Sequence, residues 1–287
     1  MTEQWTIEKL INWTKQYFSA RGIDTPRLDA EVLLSRILGK DRMYLYVHYD
    51  QPLQPDELAR YREAVKRRAQ RQPVAYITGR KEFMGLDFLV TSDVLIPRPD
   101  TEILAEAALE RLTAPEAPEA PAILDIGTGS GALVVSLLVN LPAAKGTAVD
   151  LSEAALNVAA ENARLHKVAD RLVFLRSDLF SALGQERFDA IVSNPPYIPS
   201  GDIAGLEPEV HCEPAMALDG GPDGLDCYRR LLAACPHHLA PGGFMALEVG
   251  EGQAQAVAML AKHIDGLTVA EIRKDYAGIE RVVVVTS

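Results

Sequence analysis

The segment SNPPYI, residues 193–198, brings together residue types that can hold one small planar group. Pro195 and Pro196 each fix φ and carry no N–H, so the backbone there offers acceptors with little competition from its own donors. Asn194 adds a side-chain carbonyl beside them, and Tyr197 adds an aromatic face. A rigid acceptor pair beside a ring suits an NH2 group on a flat system. A plain proline-rich turn would need neither the asparagine nor the tyrosine.

Three other segments carry chemistry. LDIGTGSG, residues 124–131, places Gly127, Gly129 and Gly131 around Thr128 and Ser130, between an apolar run and a helical stretch. Glycines there let the backbone turn sharply and approach a ligand, and a following helix presents free N–H groups. The G-x-G-x-G spacing differs from the G-x-G-x-x-G of dinucleotide sites. Asp150 ends the next apolar run, GTAVD, 19 residues after Gly131. A carboxylate so placed can accept both hydroxyl protons of a ribose; capping the following helix is the structural alternative, for which Ser152 competes. Asp178, in RSDLF, can accept from an adenine amino group, with Leu179 packing on the ring. No histidine falls within the 193–198 segment, and His211, His237 and His238 read as structural or exposed.

These motifs need a sheet to position them. From Ala122 onward, short apolar runs (AILDI, GTAVD, LVFL, DAIVS, FMALEVG) alternate with helical stretches. That pattern predicts an α/β, mainly parallel sheet covered on both faces. LTVAEI and RVVVVT at the end lie too close together for a crossover helix, which predicts an antiparallel final pair. Upstream, residues 1–72 read as a small helical bundle: Ile7, Leu10, Ile11, Thr14 and Phe18 share one face, and Pro26 and Pro55 open further helices. PVAYITG, FMGLDFLV and VLIP, within 73–97, read as a β-hairpin connecting this domain to a third region, 98–287. A helix is expected over about 100–112, followed by a surface loop, TAPEAPEAP. Residues 199–226 lack periodicity; a loop of that length suggests a role bordering a substrate channel.

Composition excludes several classes. The 287 residues are 48% hydrophobic and 24% charged, as in globular chains, with a formal net charge of −11. An acidic chain is poorly suited to gripping bare nucleic acid. The basic run from Arg60 to Arg71 reads first as a solvated helix face and second as a docking patch. Three cysteines without CxxC spacing suggest neither disulfides nor zinc, and fit a reducing compartment. The opening residues lack the pattern of a signal peptide, and the apolar stretch at 126–144 is too broken by Gly, Asn and Pro for a membrane span. A soluble, cytoplasmic protein is expected.

Taken together, the glycine turn, the acid ending the second strand and NPPY resemble a class I S-adenosylmethionine-dependent methyltransferase acting on a planar nitrogen. PVAYITG at 73–79, LIPRPDTE at 95–102, NPPYIP at 194–199 and EPAMALDGGPDGLDCYR at 213–229 extend the resemblance to the whole chain. They are similar to the PrmC/HemK family of release factor glutamine-N5 methyltransferases. The resemblance implies a Rossmann-like, seven-stranded class I methyltransferase sheet with an antiparallel last strand and a substrate-docking role for residues 1–72. It also implies transfer to the glutamine of the GGQ motif in class I peptide chain release factors. S-adenosylmethionine would be the donor and S-adenosylhomocysteine the product, with no metal, membrane or direct nucleic-acid partner. Gly127, Thr128, Gly129, Ser130, Gly131, Asp150, Asp178, Leu179 and Asn194 would hold the donor. Asn194, Pro195, Pro196 and Tyr197 would hold the amide, with Asn194 and Pro195 as its acceptors. Rival readings are glutamine methylation of a ribosomal protein, adenine-N6 methylation of DNA, and a nicotinamide-dependent oxidoreductase. The last has no use for NPPY. The resemblance leaves open whether Arg98 touches substrate or braces the hairpin.

Overall fold

The computed structural model describes residues 4–287. They form two compact units: the residues up to Gly79 together with Glu207–Cys212, and the remainder of the chain.

The first unit is helical, with α1 (Ile7–Ser19), α2 (Pro26–Leu38), α3 (Arg42–Val47), α4 (Pro55–Ala69) and α5 (Val74–Thr78). Ile7, Leu10, Ile11 and Phe18 turn inward from α1 to meet Leu33 and Leu34 of α2. Tyr61 of α4 is buried at the centre, its hydroxyl 3.1 Å from Thr14 Oγ1 and 3.2 Å from the Ala30 carbonyl. The basic run divides. Arg60, Arg62 and Lys66 face solvent, but Arg68 is buried and bonds Asp29 at 2.6 Å and Glu209 at 2.7 Å. It is therefore only in part a solvated face. The segment PVAYITG is also corrected: despite its β-branched residues, Val74–Thr78 is a helical turn ended by Gly79 at φ 71°.

The second unit begins with a hairpin confined to β1 (Arg80–Phe83) and β2 (Leu86–Leu89). Met84 and Gly85 turn it, both at positive φ, as a two-residue hairpin loop of matching twist requires. Val94 to Pro97, expected in the hairpin, are not strand. There follow α6 (Pro99–Leu112), β3 (Ala122–Ile126), α7 (Ala132–Asn140), β4 (Lys145–Asp150), α8 (Glu153–Leu165), β5 (Leu172–Arg176) and β6 (Phe188–Ser193). The chain ends with α9 (Asp226–His238), β7 (Leu239–Glu248), α10 (Ala254–Lys262), β8 (Thr268–Lys274) and β9 (Glu280–Thr286). The sheet order is β5-β4-β3-β6-β7-β9-β8. Neighbours from β5 through β7 are parallel, and β9 runs antiparallel to both β7 and β8. The strand runs are apolar on both sides because helices cover both faces. One apolar cluster joins α6 and α7 to the sheet, and another joins α9 and α10. No helix among the described residues is long and apolar enough to cross a membrane.

Candidate active site

Because β3, β4, β5 and β6 are parallel, their C-terminal ends share one edge, the usual ligand side of such sheets. The motifs all follow those ends. A cleft of about 500 Å³ opens there, walled by Gly127, Gly129, Asp150, Asp178, Leu179 and Asn194, with Pro196. Thr128 and Ser130 line a smaller recess that shares Gly127, Gly129 and Asn194. Gly131, Pro195 and Tyr197 lie behind these walls: Gly131 begins α7, Pro195 is buried, and Tyr197 packs on the apolar cluster beneath.

The glycine turn is fixed from several sides. Gly127 and Thr128 N–H groups donate to the Val149 carbonyl at 2.9 and 3.0 Å. A Cβ on Gly131 would stand 3.0 Å from Ala159 Cβ and 3.2 Å from its Cα, so this glycine lets α7 start against α8. Thr128 donates to the buried Asp125 at 2.7 Å. Burial pushes the Asp125 carboxyl up to about 7, against the lowering effect of Thr128. Asp150 accepts the Gly129 N–H on one oxygen and the Ser152 N–H on the other, each at 2.9 Å. Ser152, not Asp150, caps α8. Asp178 reaches Arg230 at 2.8 Å, and Leu179 holds a left-handed φ of 52°.

At β6, Ser193 donates to the Ile126 carbonyl at 2.7 Å, tying the start of NPPY to the end of β3. Asn194 Nδ2 donates to Thr101 Oγ1 at 3.1 Å. Gln253 donates to the Tyr197 carbonyl at 2.9 Å. The Tyr197 phenol is pushed up to about 12, by burial first and by the Glu248 charge second. Glycines of the 199–226 segment close the far side. A Cβ on Gly220 would stand 2.8 Å from both the Pro196 oxygen and Tyr197 Cα, and one on Gly224 would overlap the Tyr197 oxygen. Pro214, Met216 and Asp219 from that segment line the cleft. Glu213, beside them, accepts from Ile96 N–H at 3.1 Å and pairs with Arg98. Arg98 therefore braces the loop rather than standing free.

Both parts of the chain match known families. The PrmC N-terminal domain matches residues 9–79 and the methyltransferase small domain residues 101–205. The release factor glutamine methyltransferase of Geobacter sulfurreducens is 48% identical, over 99% of this chain and 98% of that relative. That of Moorella thermoacetica is 45% identical, over 96% of each. The chain belongs to the release factor glutamine methyltransferase family. Solved structures bear out the fold at lower similarity. A methyltransferase from Pyrococcus furiosus has a TM-score of 0.51 at 18% identity, covering 81% of this chain and 98% of that one. The hMettl16 catalytic domain has a TM-score of 0.53 at 14% identity, covering 82% and 84%.

Sequence reasoning missed several residues of this methyltransferase that build the site. Asn162 of α8 donates to the Ser130 carbonyl at 2.8 Å and bonds both backbone groups of Leu89. It lay unremarked in a helical run; only its burial, complete here, sets it apart. Thr101 and Glu248 converge on Asn194. Glu248 had one signal, a charge ending an otherwise apolar strand run.

Proposed function

We propose that this methyltransferase transfers a methyl group from S-adenosylmethionine to the side-chain amide nitrogen of the GGQ glutamine in class I peptide chain release factors. The observation that carries the reading is the intact NPPY turn, set beside a glycine turn and a strand-end acid in a chain matching release factor glutamine methyltransferases along nearly its whole length. The residues present fit the donor. A cleft of about 500 Å³ is within the range of small-molecule sites. Gly127 and Gly129 have open space where a Cβ would stand. Each Asp150 oxygen accepts only one backbone N–H, leaving lone pairs for two ribose hydroxyls. Asp178 and Leu179 would border the adenine.

S-adenosylmethionine supplies an already activated methyl on a sulfonium and leaves as S-adenosylhomocysteine. The difficulty is the acceptor, since a carboxamide lone pair is delocalised into its carbonyl. Asn194 Oδ1 and the Pro195 carbonyl, which lies on the peptide bond to the cleft-lining Pro196, each accept one hydrogen of the glutamine NH2 group. That turns the nitrogen toward the methyl and favours its pyramidal form. Orientation of this kind supplies up to roughly 7–11 kcal/mol. The same acceptors face positive charge as the new C–N bond forms. The extra proton leaves afterwards to solvent, so no strong base is required beforehand. Tyr197, its phenol held neutral, supports the turn as an apolar wall.

The helical unit is the docking domain in this reading. Met43, Tyr46, Val47 and Tyr49 stay exposed there, and one glutamine offers too little area for recognition by itself. The reaction would take place in the cytoplasm, without metal, membrane or direct nucleic-acid contact. The test is transfer of labelled methyl to a purified release factor, beside its GGQ Gln→Ala variant, with duplex DNA and ribosomal proteins as competitors. Label on the wild-type factor alone supports the reading. Label on DNA or a ribosomal protein instead overturns the substrate and keeps the NPPY chemistry.

A further inference from the structure

Glu248 ends β7 with 1% of its surface exposed, and its Oε2 has no hydrogen-bond partner. A buried carboxylate oxygen without a partner is costly and calls for an explanation. Its surroundings give one. From α6, Thr101 faces it, with Asp100 beside; from the turn after β6, Asn194 and Tyr197; from α9, Tyr228; from β9, Arg281. Arg281 is already engaged by Asp100 at 3.2 Å and Asp275 at 3.0 Å. The Tyr228 hydroxyl donates to the Glu248 backbone carbonyl, not to its carboxyl. The groups that favour its charged form against burial are the Thr101 hydroxyl, the Arg281 charge and the Asn194 amide, and of these Thr101 and Asn194 are bonded to each other at 3.1 Å. Glu248 does not line the cleft, whereas Thr101 and Asn194 both reach the recess at its edge.

A carboxamide has a donor end and an acceptor end of nearly equal shape. Which end faces a ligand is decided by what holds the other. A threonine hydroxyl cannot decide it, because it donates or accepts equally well. An ionised carboxylate can, because it only accepts. We propose that Glu248 is a positioning residue that fixes the direction of the hydrogen bonds through Thr101 to Asn194, so that the Asn194 carboxamide presents its oxygen to the substrate amide. This rests on Asn194 being the acceptor of that amide. With Glu248 ionised, Thr101 donates to it and keeps its lone pairs for Asn194 Nδ2, the contact seen at 3.1 Å. Oδ1 then faces outward. With Glu248 protonated, the carboxyl donates to Thr101, and Thr101 can donate to Oδ1. The amide turns over and offers a donor where an acceptor is needed.

Burial pushes the Glu248 carboxyl up to about 7, assisted by Asp100 and opposed by Thr101, Arg281 and Asn194. Both facing tyrosines are raised, Tyr197 to about 12 and Tyr228 well above the usual phenol range, so neither titrates in the same window. The orientation is thus secured above neutrality and lost below it.

Two arms test this in the full chain. Asn194 is one of five asparagines, so selective 15N labelling isolates its NH2 signal, assigned by its loss in Asn194→Ala. That signal should shift with an inflection near pH 7 in wild type and show none in Glu248→Gln; an inflection of equal size in both overturns the proposal. This arm needs no substrate and stands even if release factor proves the wrong acceptor. In the second arm, methyl transfer to release factor is followed from pH 6 to 9. Glu248→Gln should lower kcat about tenfold to a hundredfold, as misplacement at a distance does. Its KM values should stay within about threefold, and the rise of kcat through neutrality should vanish. Wild-type kcat with a wild-type pH profile overturns the proposal, whereas absent transfer by wild type refutes the release factor reading instead. If Glu248→Gln does not fold, Thr101→Val and Thr101→Ser decide. Serine should restore most of the kcat that valine loses, and equal rates overturn the relay.

Discussion

Replacing Asp150 with alanine should weaken donor binding by about a hundredfold, and the structure says why. Each carboxylate oxygen already accepts one backbone N–H at 2.9 Å, from Gly129 and from Ser152. A carboxylate has about four acceptor positions, so roughly one per oxygen remains for a ribose hydroxyl. Hydrogen bonds to a charged group contribute about 1.5–3 kcal/mol each. Asp150 is only half-buried, so the low end applies, about 3 kcal/mol for two. That corresponds to roughly a hundredfold in Kd. The same substitution frees the Gly129 N–H and loosens the turn, so a simple loss of affinity would not prove a ribose contact. Calorimetry of S-adenosylhomocysteine and its 2′-deoxy analogue, on wild type and Asp150→Ala, separates the two effects. Wild type should lose about tenfold on removal of the hydroxyl. The variant should lose less than about threefold, a coupling of the size expected for groups in contact. Equal losses in both proteins would refute the ribose role and leave Asp150 as a brace for the turn.

Asn194→Ala should bind S-adenosylhomocysteine nearly as wild type does and lower kcat about a hundredfold, since its contact strengthens as charge develops on nitrogen; steady-state kinetics on release factor checks this, and near-normal kcat sinks the acceptor pair. Glu213→Ala should cost about 2 kcal/mol in denaturant unfolding, because it leaves the Ile96 N–H and Arg98 without their acceptor. Hydrogen exchange over 213–221 should rise with it, and unchanged protection would refute the brace. Asp125 and Glu248, both pushed up to about 7 by burial, hold protons that the unfolded chain has already released. Their effect therefore favours folding at low pH and is lost progressively as pH rises from about 4 to 7. Glu248→Gln should accordingly gain about 3 kcal/mol relative to wild type between pH 4.5 and 8, read from paired melts; a pH-independent difference would contradict a raised carboxyl.

The parallel sheet was legible because strands covered on both faces read as apolar runs, and parallel connection brings every run's end to one edge. Residues 127–131, 150, 178 and 194 thus fall together from the sequence pattern alone. The hairpin was legible in place and not in extent. PVAYITG carries strand-type residues, yet Gly79 in a left-handed conformation closes it as a helical turn. Met84 at positive φ turns the hairpin one residue earlier than glycine alone would suggest. Thr101 and Glu248 obey no spacing rule with Asn194. They meet it because α6 begins, and β6 and β7 end, at the same edge. The glycines of GGPDG were visible as letters, and their cause, the backbone of Pro196 and Tyr197 lying against two of them, is purely tertiary.

Two buried acids share one design at this edge. Asp125 sits at the end of β3 and holds the Thr128 hydroxyl within the glycine turn. Glu248 sits at the end of β7 and faces the Thr101 hydroxyl, which holds Asn194. Each acid lacks a cation of its own and is pushed up to about 7. An apolar residue at either position would remove a desolvation cost and leave a hydroxyl free to rotate. Stability is thus given up at two strand ends, and what is gained is direction: with the acid ionised, a hydroxyl donates one way, and behind it a turn or an amide presents one face. A methyl transfer to a weak nucleophile depends on orientation more than on any base, so the two buried acids without a paired cation stand where orientation is set.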